Sequence, residues 1–399
     1  MTDRSTPVRI GFARRCVAGL AVLVLLSVDR AAAQQTGATW SLSGQPTVTI
    51  GLVDGPQEQL FSQIRYALRL NDGRYVIADG QQLRLSVWSA NGSFLTSFGR
   101  SGEGPGEFGG MLGVWLAGGE TIAVWDPRLQ RITRFRPDGT VVGTHTLSYG
   151  PEGPPINRML DPFLGALPDG RIVLAWLSPS RRETDQLLPD TLTFGLFEPD
   201  GRFVRVLGAR IGMQRMYAPG VGGGPVPFSS WPWATNLGNL FAYTNGHGGI
   251  IDFFETRDAA QPPRSTRVAG SPISLEDAWR RLDAAIPEAT THRINIQVAQ
   301  ATSRTLGEVP VFSRMISDDR GQIWLKDYDP AIDAMTVRKY PFGDGGRWRV
   351  VGTDGRPVAT ISMPRGVAPI AVHGDLLLGV MRDDLDVERF VVYRIIRPG

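Results

Sequence analysis

Four histidines, His145, His247, His292 and His373, are the side chains of this chain best suited to acid–base or metal chemistry near neutral pH. No two of them have the short spacing that brings imidazoles onto one metal ion. His247 is the best placed, between Gly246 and Gly248 in a loop. A second constellation is acidic. Asp327-Tyr328-Asp329 followed by Asp333 spaces carboxylates along one loop, and Asp383, Asp384 and Asp386 form a similar run. Carboxylates at alternating positions can gather around a hard cation such as calcium. Asp327, Asp329 and Asp333 are therefore the alternative ligands for one divalent cation. The glycine and terminal glutamate of a cation-binding loop are missing, so a solvated acidic loop is the better reading and no cofactor is expected. A third pattern recurs: Asp79 with Arg84 and Asp126 with Arg131, both five residues apart. A role that repeats is structural, so these are expected to be ion pairs that hold loops.

Other chemistries lack their motifs. The segment Gly102–Phe108, GEGPGEF, has no Gly-Lys-Ser/Thr and no helix after it, so it does not read as a phosphate cradle. No G-x-S-x-G occurs. The only cysteine, Cys16, lies in the N-terminal stretch considered next.

Residues 1–33 read as a secretory leader. Arg4, Arg9, Arg14 and Arg15 precede an apolar run of about 13 residues, and Ala31-Ala32-Ala33 supplies a small-residue cleavage site. That run is short of the roughly 20 residues a spanning helix needs, so no integral membrane segment is expected after cleavage. Arg14-Arg15 also resembles a twin-arginine pair, with flanks that match poorly. Five of the 42 basic and two of the 39 acidic residues lie in 1–33, which leaves 37 of each. A neutral exported chain has no electrostatic case for nucleic acid. The expected address is periplasmic or extracellular. At 42% hydrophobic and 20% charged, the chain has a globular composition.

The elements that would position these residues repeat. Leu70–Gly99 contains apolar strands separated by Asp72-Gly73 and Asn91-Gly92 turns. Ala117–Leu147 repeats the plan with Gly118-Gly119 and Asp138-Gly139. Period-two alternation, β-branched and aromatic residues and glycine turns mark strands throughout. The pattern returns six times with insertions, which predicts an all-β fold, a six-bladed β-propeller with four antiparallel strands per blade. The blades are expected at 64–110, 111–150, 163–212, 226–272, 311–366 and 367–398. The last has three strands, and residues 46–51 are expected to supply the fourth, tying the chain ends together. The mature domain spans 34–399.

The segment 61–108 resembles an NHL repeat, in Asp72-Gly73, the strand end Val76-Ile77-Ala78-Asp79, Arg84 and the glycine-rich loop Gly99–Phe108. The chain is similar to bacterial secreted six-bladed propellers of that type. Some distantly similar propellers are metal-dependent lyases or lactonases with a site in the central channel. The resemblance implies that reading as an alternative, to be judged by whether His247, Asp327, Asp329, Asp383 and Glu388 converge near the axis.

Loops sorted by face are uneven. First-to-second and third-to-fourth strand turns are tight, apart from 256–263. The other face carries 147–163, 177–189, 209–232, 271–310 and 328–346. Insertions concentrated on one face mark a working face. Within 271–310, Ser274 and Asp277 form a capping box, and Leu275, Ala278, Trp279, Leu282 and Ile286 fall on one stripe, which predicts a helix within about 274–300. It either lies over the disc as a partial lid or packs without further role. Exposed arginines and aromatics on that face are the ligand candidates: Arg215, Tyr217, Trp231, Trp233, His247 and Tyr328, with Arg181-Arg182 second. For the tryptophans, packing between blades is the competing reading. Binding of a protein or small molecule by a monomer, without catalysis, is the expected function.

Overall fold

The computed structural model of the chain describes residues 37–111, 113–150, 165–178, 187–218, 222–225, 227–229, 231–285, 308–334 and 345–398. The expected leader, Arg181-Arg182, His292 and residues 286–300 lie outside the described residues. No helix among the described residues is long and apolar enough to cross a membrane.

The first strands are β1 (Ala38–Thr39), β2 (Ser41–Leu42) and β3 (Val48–Ile50). Blade one follows as β4 (Ile64–Arg69), β5 (Tyr75–Asp79), β6 (Arg84–Trp88) and β7 (Phe94–Phe98). Blade two is β8 (Gly113–Leu116), β9 (Ile122–Asp126), β10 (Arg131–Phe135) and β11 (Val141–Thr146). Blade three is β12 (Gly165–Ala166), β13 (Ile172–Ser178), β14 (Leu187–Phe197) and β15 (Phe203–Ala218), with β16 (Gly222–Pro225) added outside. Blade four is β17 (Trp233–Leu237), β18 (Leu240–Thr244), β19 (Ile250–Glu255) and β20 (Arg264–Arg267). Blade five is β21 (Phe312–Ser317), β22 (Ile323–Asp327), β23 (Gly346–Val351) and β24 (Pro357–Met363). Blade six is β25 (Val367–His373), β26 (Leu376–Arg382) and β27 (Glu388–Ile396), completed by β3. The six innermost strands neighbour one another in order, β4, β8, β12, β17, β21 and β25, and β25 lies against β4. The fold is a six-bladed β-propeller.

Burial explains which sequence makes which strand. Second strands are apolar runs covered on both faces: all five residues of β5 and of β9 are buried. Outer strands alternate, as in β11. The core therefore lies between blades. Val76, Ala78, Leu85 and Val87 of blade one, for example, pack on Val114, Val124 and Phe135 of blade two.

The third-to-fourth strand turns seal these interfaces. Gly92, Gly139, Gly201 and Gly355 have φ between 80° and 89°, a region that favours glycine. A Cβ there would press on the outer strand of the preceding blade: Val48 from Gly92, Phe98 from Gly139, the Thr146 carbonyl from Gly201 and Thr266 from Gly355.

The N-terminal strand closes the ring as expected, with Val48, Thr49 and Ile50 paired to Val392, Val391 and Phe390 of β27. Two features were not legible. β1 adds in parallel to the outside of β24, through Ala38 to Ala359 and Thr39 to Thr360. Trp40 then enters the core between blades five and six, its ring 5.8 Å from Trp324.

The structure corrects two expectations. Residues 209–218 are not loop: β14 and β15 form a long hairpin that runs past the disc, and β16 pairs with residues 215–218. The expected helix is described as α1 over Leu275–Ala285 and starts where the capping box places it, with the Asp277 N–H donating to Ser274 Oγ at 3.0 Å. The second correction concerns the aspartate–arginine pairs. Asp79 and Arg84 face each other across β5 and β6, as do Asp126 and Arg131 across β9 and β10, yet each side chain turns to backbone. Asp79 accepts from the N–H groups of Ser62, Gln81 and Gln82 at 2.7, 3.0 and 2.9 Å. Asp126 accepts from Gly109, Arg128 and Leu129 at 2.7, 3.0 and 3.0 Å. Arg84 donates to the carbonyls of Gln57 and Leu60, and Arg131 to those of Glu103, Gly104 and Glu107. Unmet backbone donors are costly when buried, so a buried carboxylate serves them before it serves an arginine that has carbonyls within reach.

Candidate functional site

Strand direction places the second-to-third loops and the blade-to-blade connections on one face. The departures from a plain blade gather there: the outer part of the β14–β15 hairpin with β16, helix α1, and a one-turn helix α2 (Pro330–Asp333) in the loop after β22. Asp329 caps α2, its carboxylate accepting from the Ala331 N–H at 3.1 Å. α1 packs on α2. Phe228, just after β16, is buried with Ala278, Leu282, Val309, Tyr328 and Ala334, and stands edge-on to Trp279 at 5.0 Å. The insertions of blades three, four and five thus share one small apolar core over the disc.

Beneath α2 lies a buried ion pair. Lys326 Nζ donates to Asp333 at 2.6 Å with both side chains almost sealed from solvent, and the second Asp333 oxygen accepts from the Asp329 N–H at 2.8 Å. Lys326 stands directly opposite Arg314 of β21, which is also buried. The Arg314 guanidinium lies 5.9 Å from the centre of the Trp233 ring. Trp233 opens β17, the innermost strand of blade four, so this cation and this indole sit where two innermost strands begin on the inserted face.

The other candidates distribute as follows. Trp231 is half-buried just before β17. Arg215 and Tyr217 lie on β15 where it runs between β14 and β16, with Arg215 opposite Leu188 and Pro225 and Tyr217 opposite Gly223. Tyr328 is buried rather than presented at the surface. Burial, then the charges of Asp333 and Asp329, push its phenol well above the ordinary value. His247 sits in a tight turn after β18. A Cβ on Gly246 or Gly249 would strike the Phe312 or Val268 carbonyl at 2.3 Å, so the turn is wedged against the connection into blade five. Its Nε2 is buried with no hydrogen-bond partner among the described residues. Burial holds the imidazole below its ordinary value, partly offset by Glu308.

The acidic residues do not converge. Asp327 accepts from Arg349 at 2.5 and 3.1 Å and lies 3.8 Å from Arg347. Asp329 caps α2, and Asp333 faces Lys326. Asp383 pairs with Arg389 at 2.7 Å. Glu388 pairs with Arg382 and accepts from the Ile64 N–H at 2.5 Å. Burial raises the Glu388 carboxyl against the pull of these donors. No group of three His, Cys, Asp or Glu residues among those described could hold a metal ion.

Sequence reasoning missed Arg314, Phe228 and the role of Lys326. One signal was present: Lys326 and Lys339 are the only lysines among 42 basic residues. An arginine amid the apolar residues of β21 was the other.

Residues 54–150 match a family model described as a 6-bladed beta-propeller. No curated protein matches the chain. Among solved structures, it is similar to a protein described as exported from Bacteroides fragilis, at 14% identity and a TM-score of 0.49 over 90% of this chain and 96% of that one. A member of the DUF4221 family from Bacteroides vulgatus follows at 11% identity and 0.48, covering 92% and 100%. A catalytically inactive virginiamycin B lyase from Staphylococcus aureus, solved with quinupristin, is similar at 12% identity and 0.40, covering 88% of each.

Proposed function

We propose that this chain is an exported propeller of the NHL-repeat kind that binds a small molecule or a protein partner through its inserted face, as a monomer and without chemistry of its own. The observation that carries the reading is the joining of the insertions through Phe228, Trp279 and Tyr328. Insertions that merely tolerate length have no reason to share a core, whereas a recognition surface needs rigid loops. The neighbouring Trp233 and Arg314 supply the aromatic and guanidinium groups that binding sites favour. Ligand specificity would then reside in the hairpin beyond the disc, where Arg215 and Tyr217 lie. The basic leader supports an address in the periplasm or outside the cell, and the balanced charge of residues 34–399 gives nucleic acid no electrostatic attraction.

The unpartnered Nε2 of His247 favours a second reading, a metal-assisted lyase or lactonase. Elemental analysis of the purified chain with and without chelator separates the two. Under the binding reading the protein is metal-free, its melting temperature ignores chelator, and a stabilising compound from a thermal-shift screen loses its effect in Trp233→Ala. A stoichiometric metal lost to chelator, with a fall in melting temperature, transfers the case to the enzyme.

A further inference from the structure

We propose that the cleft between blades three and four, beside the outer edge of β15, docks an extended acidic segment of a partner protein, which adds a strand to β15 and seats one aromatic side chain in the cleft. This lies on the rim near the tight-turn face and does not depend on the inserted-face reading.

The argument comes from what fills the equivalent clefts. Four are sealed by the third-to-fourth strand turn of the following blade, through Gly92, Gly139, Gly201 and Gly355. Between blades five and six that turn does not exist, because the chain leaves at Ile396 and the fourth strand is β3 from the other end. There β1 adds to the edge of β24 and Trp40 fills the space, its N–H donating to the Thr360 carbonyl at 2.8 Å. Between blades three and four the turn is replaced by the longer loop 256–263, and a notch of about 200 Å³ remains. Arg205, Val206, Leu207, Phe254, Glu255 and Pro262 are among the residues that line it, and the Glu255 carboxylate there accepts from the N–H groups of Thr256 and Arg257. That volume is below the range of pockets for drug-sized ligands and suits one large side chain.

The registers coincide. Counted from Asp200-Gly201 and Asp354-Gly355, Arg205 and Val206 stand where Ala359 and Thr360 receive β1. The bulge that opens β15, between Leu196 and Phe197 of its partner, recurs in blade five between Val350 and Val351, so it is no bar to strand addition; a second bulge, at Leu207, has no counterpart in blade five, so the shared register ends at Val206. Outside β15, only residues 215–218 are paired among those described. Val204, Val206 and Ile211 are exposed on the remainder, an uncovered apolar edge of the kind that accepts a strand.

Charge selects the occupant. Arg205 donates to the Glu255 carbonyl at 3.0 Å, and no carboxylate among the described residues lies within ion-pair distance of it. Burial and the nearby Arg171 lower its affinity for the proton, with Asp258 and Glu255 opposing. A half-buried guanidinium so placed calls for an incoming carboxylate. In the filled cleft, Arg397 already lies 4.5 Å over the Trp40 ring, which shows an aromatic residue and an arginine sharing this position.

The test is fluorescence anisotropy with a labelled, blocked hexapeptide, Gly-Ala-Thr-Trp-Glu-Leu, and the purified chain. Saturable binding is expected at micromolar to millimolar protein. Replacing tryptophan by alanine in the peptide, or Arg205→Glu in the protein, should weaken it about tenfold or more. Val206→Pro removes an edge donor and should do the same; its melting curve, with that of Arg205→Glu, verifies folding. No saturable binding, or binding indifferent to these changes, overturns the proposal. So does self-association in sedimentation that the same substitutions abolish, because a second copy would then own the cleft.

Discussion

At the end of β9 in blade two, Asp126 is sealed from solvent and gathers three backbone N–H groups, which fixes the next turn at four residues. At the end of β22 in blade five, Asp327 occupies the same repeat position, is partly exposed, and faces the Arg349 guanidinium instead. The contrast shows how one repeat yields both a tight turn and an elaborated loop. Where the carboxylate binds backbone, the loop can take only one shape. Where a strand arginine satisfies it, the loop backbone is released, and it grows into α2 with its own buried pair, Lys326 and Asp333.

The largest effect should come from that pair. Lys326→Met strands a buried carboxylate and should cost about 3–5 kcal/mol in urea unfolding, while Lys326→Met with Asp333→Leu should recover most of it. A single substitution as mild as a surface change would mean that the pair does not anchor α2. Asp126→Ala comes next. Three partly buried donors lose their acceptor, and about 3 kcal/mol is expected; Asp79→Ala should match it, and a large difference between the two would break their equivalence. Asp327→Asn should cost about 1 kcal/mol or less, since its ion pair meets solvent. A cost equal to that of Asp126→Ala would erase the distinction between the blades.

The smallest effect is with pH. Burial holds both His247 and His373 below the ordinary 6.5. The unfolded chain therefore takes up protons that the folded chain refuses, and stability present above that value is lost as pH falls from about 7 toward 5. Glu388 is raised, so its contribution runs the other way, improving as pH falls through the carboxylate range. Urea midpoints at pH 7 and 5 should show the loss, and His247→Gln with His373→Gln should flatten it.

How much of this could be read beforehand depends on the length of the signal. The blades were legible because alternation and Asp-Gly turns persist over 30 residues, and residues 46–51 were legible as a strand lacking a neighbour. β1 has two residues and no pattern, so Trp40 gave no hint of being a wedge. The stretch after Leu207 mixes glycine and arginine and hid a hairpin whose pairing depends on β14. For Asp79 and Asp126 the spacing identified a structural role and the cross-strand opposition. It could not show that backbone donors would outcompete the arginines. The inserted face was legible from loop lengths, but its buried Arg314 and Lys326 were not, because periodicity marks burial and says nothing of charge.

β3, the outer strand of blade six, is made before blade one, and the strand it completes, β27, is made after blade five. The Thr47 hydroxyl and the Val392 carbonyl it bonds are 345 residues apart. Closing a span of that length carries an entropy cost that no local contact offsets. Blades one to five can therefore assemble as the chain emerges, while blade six must wait with an open edge until β27 has been made. Closure of the ring is thus the last step of its assembly, and it certifies that every blade between the two strands is already present.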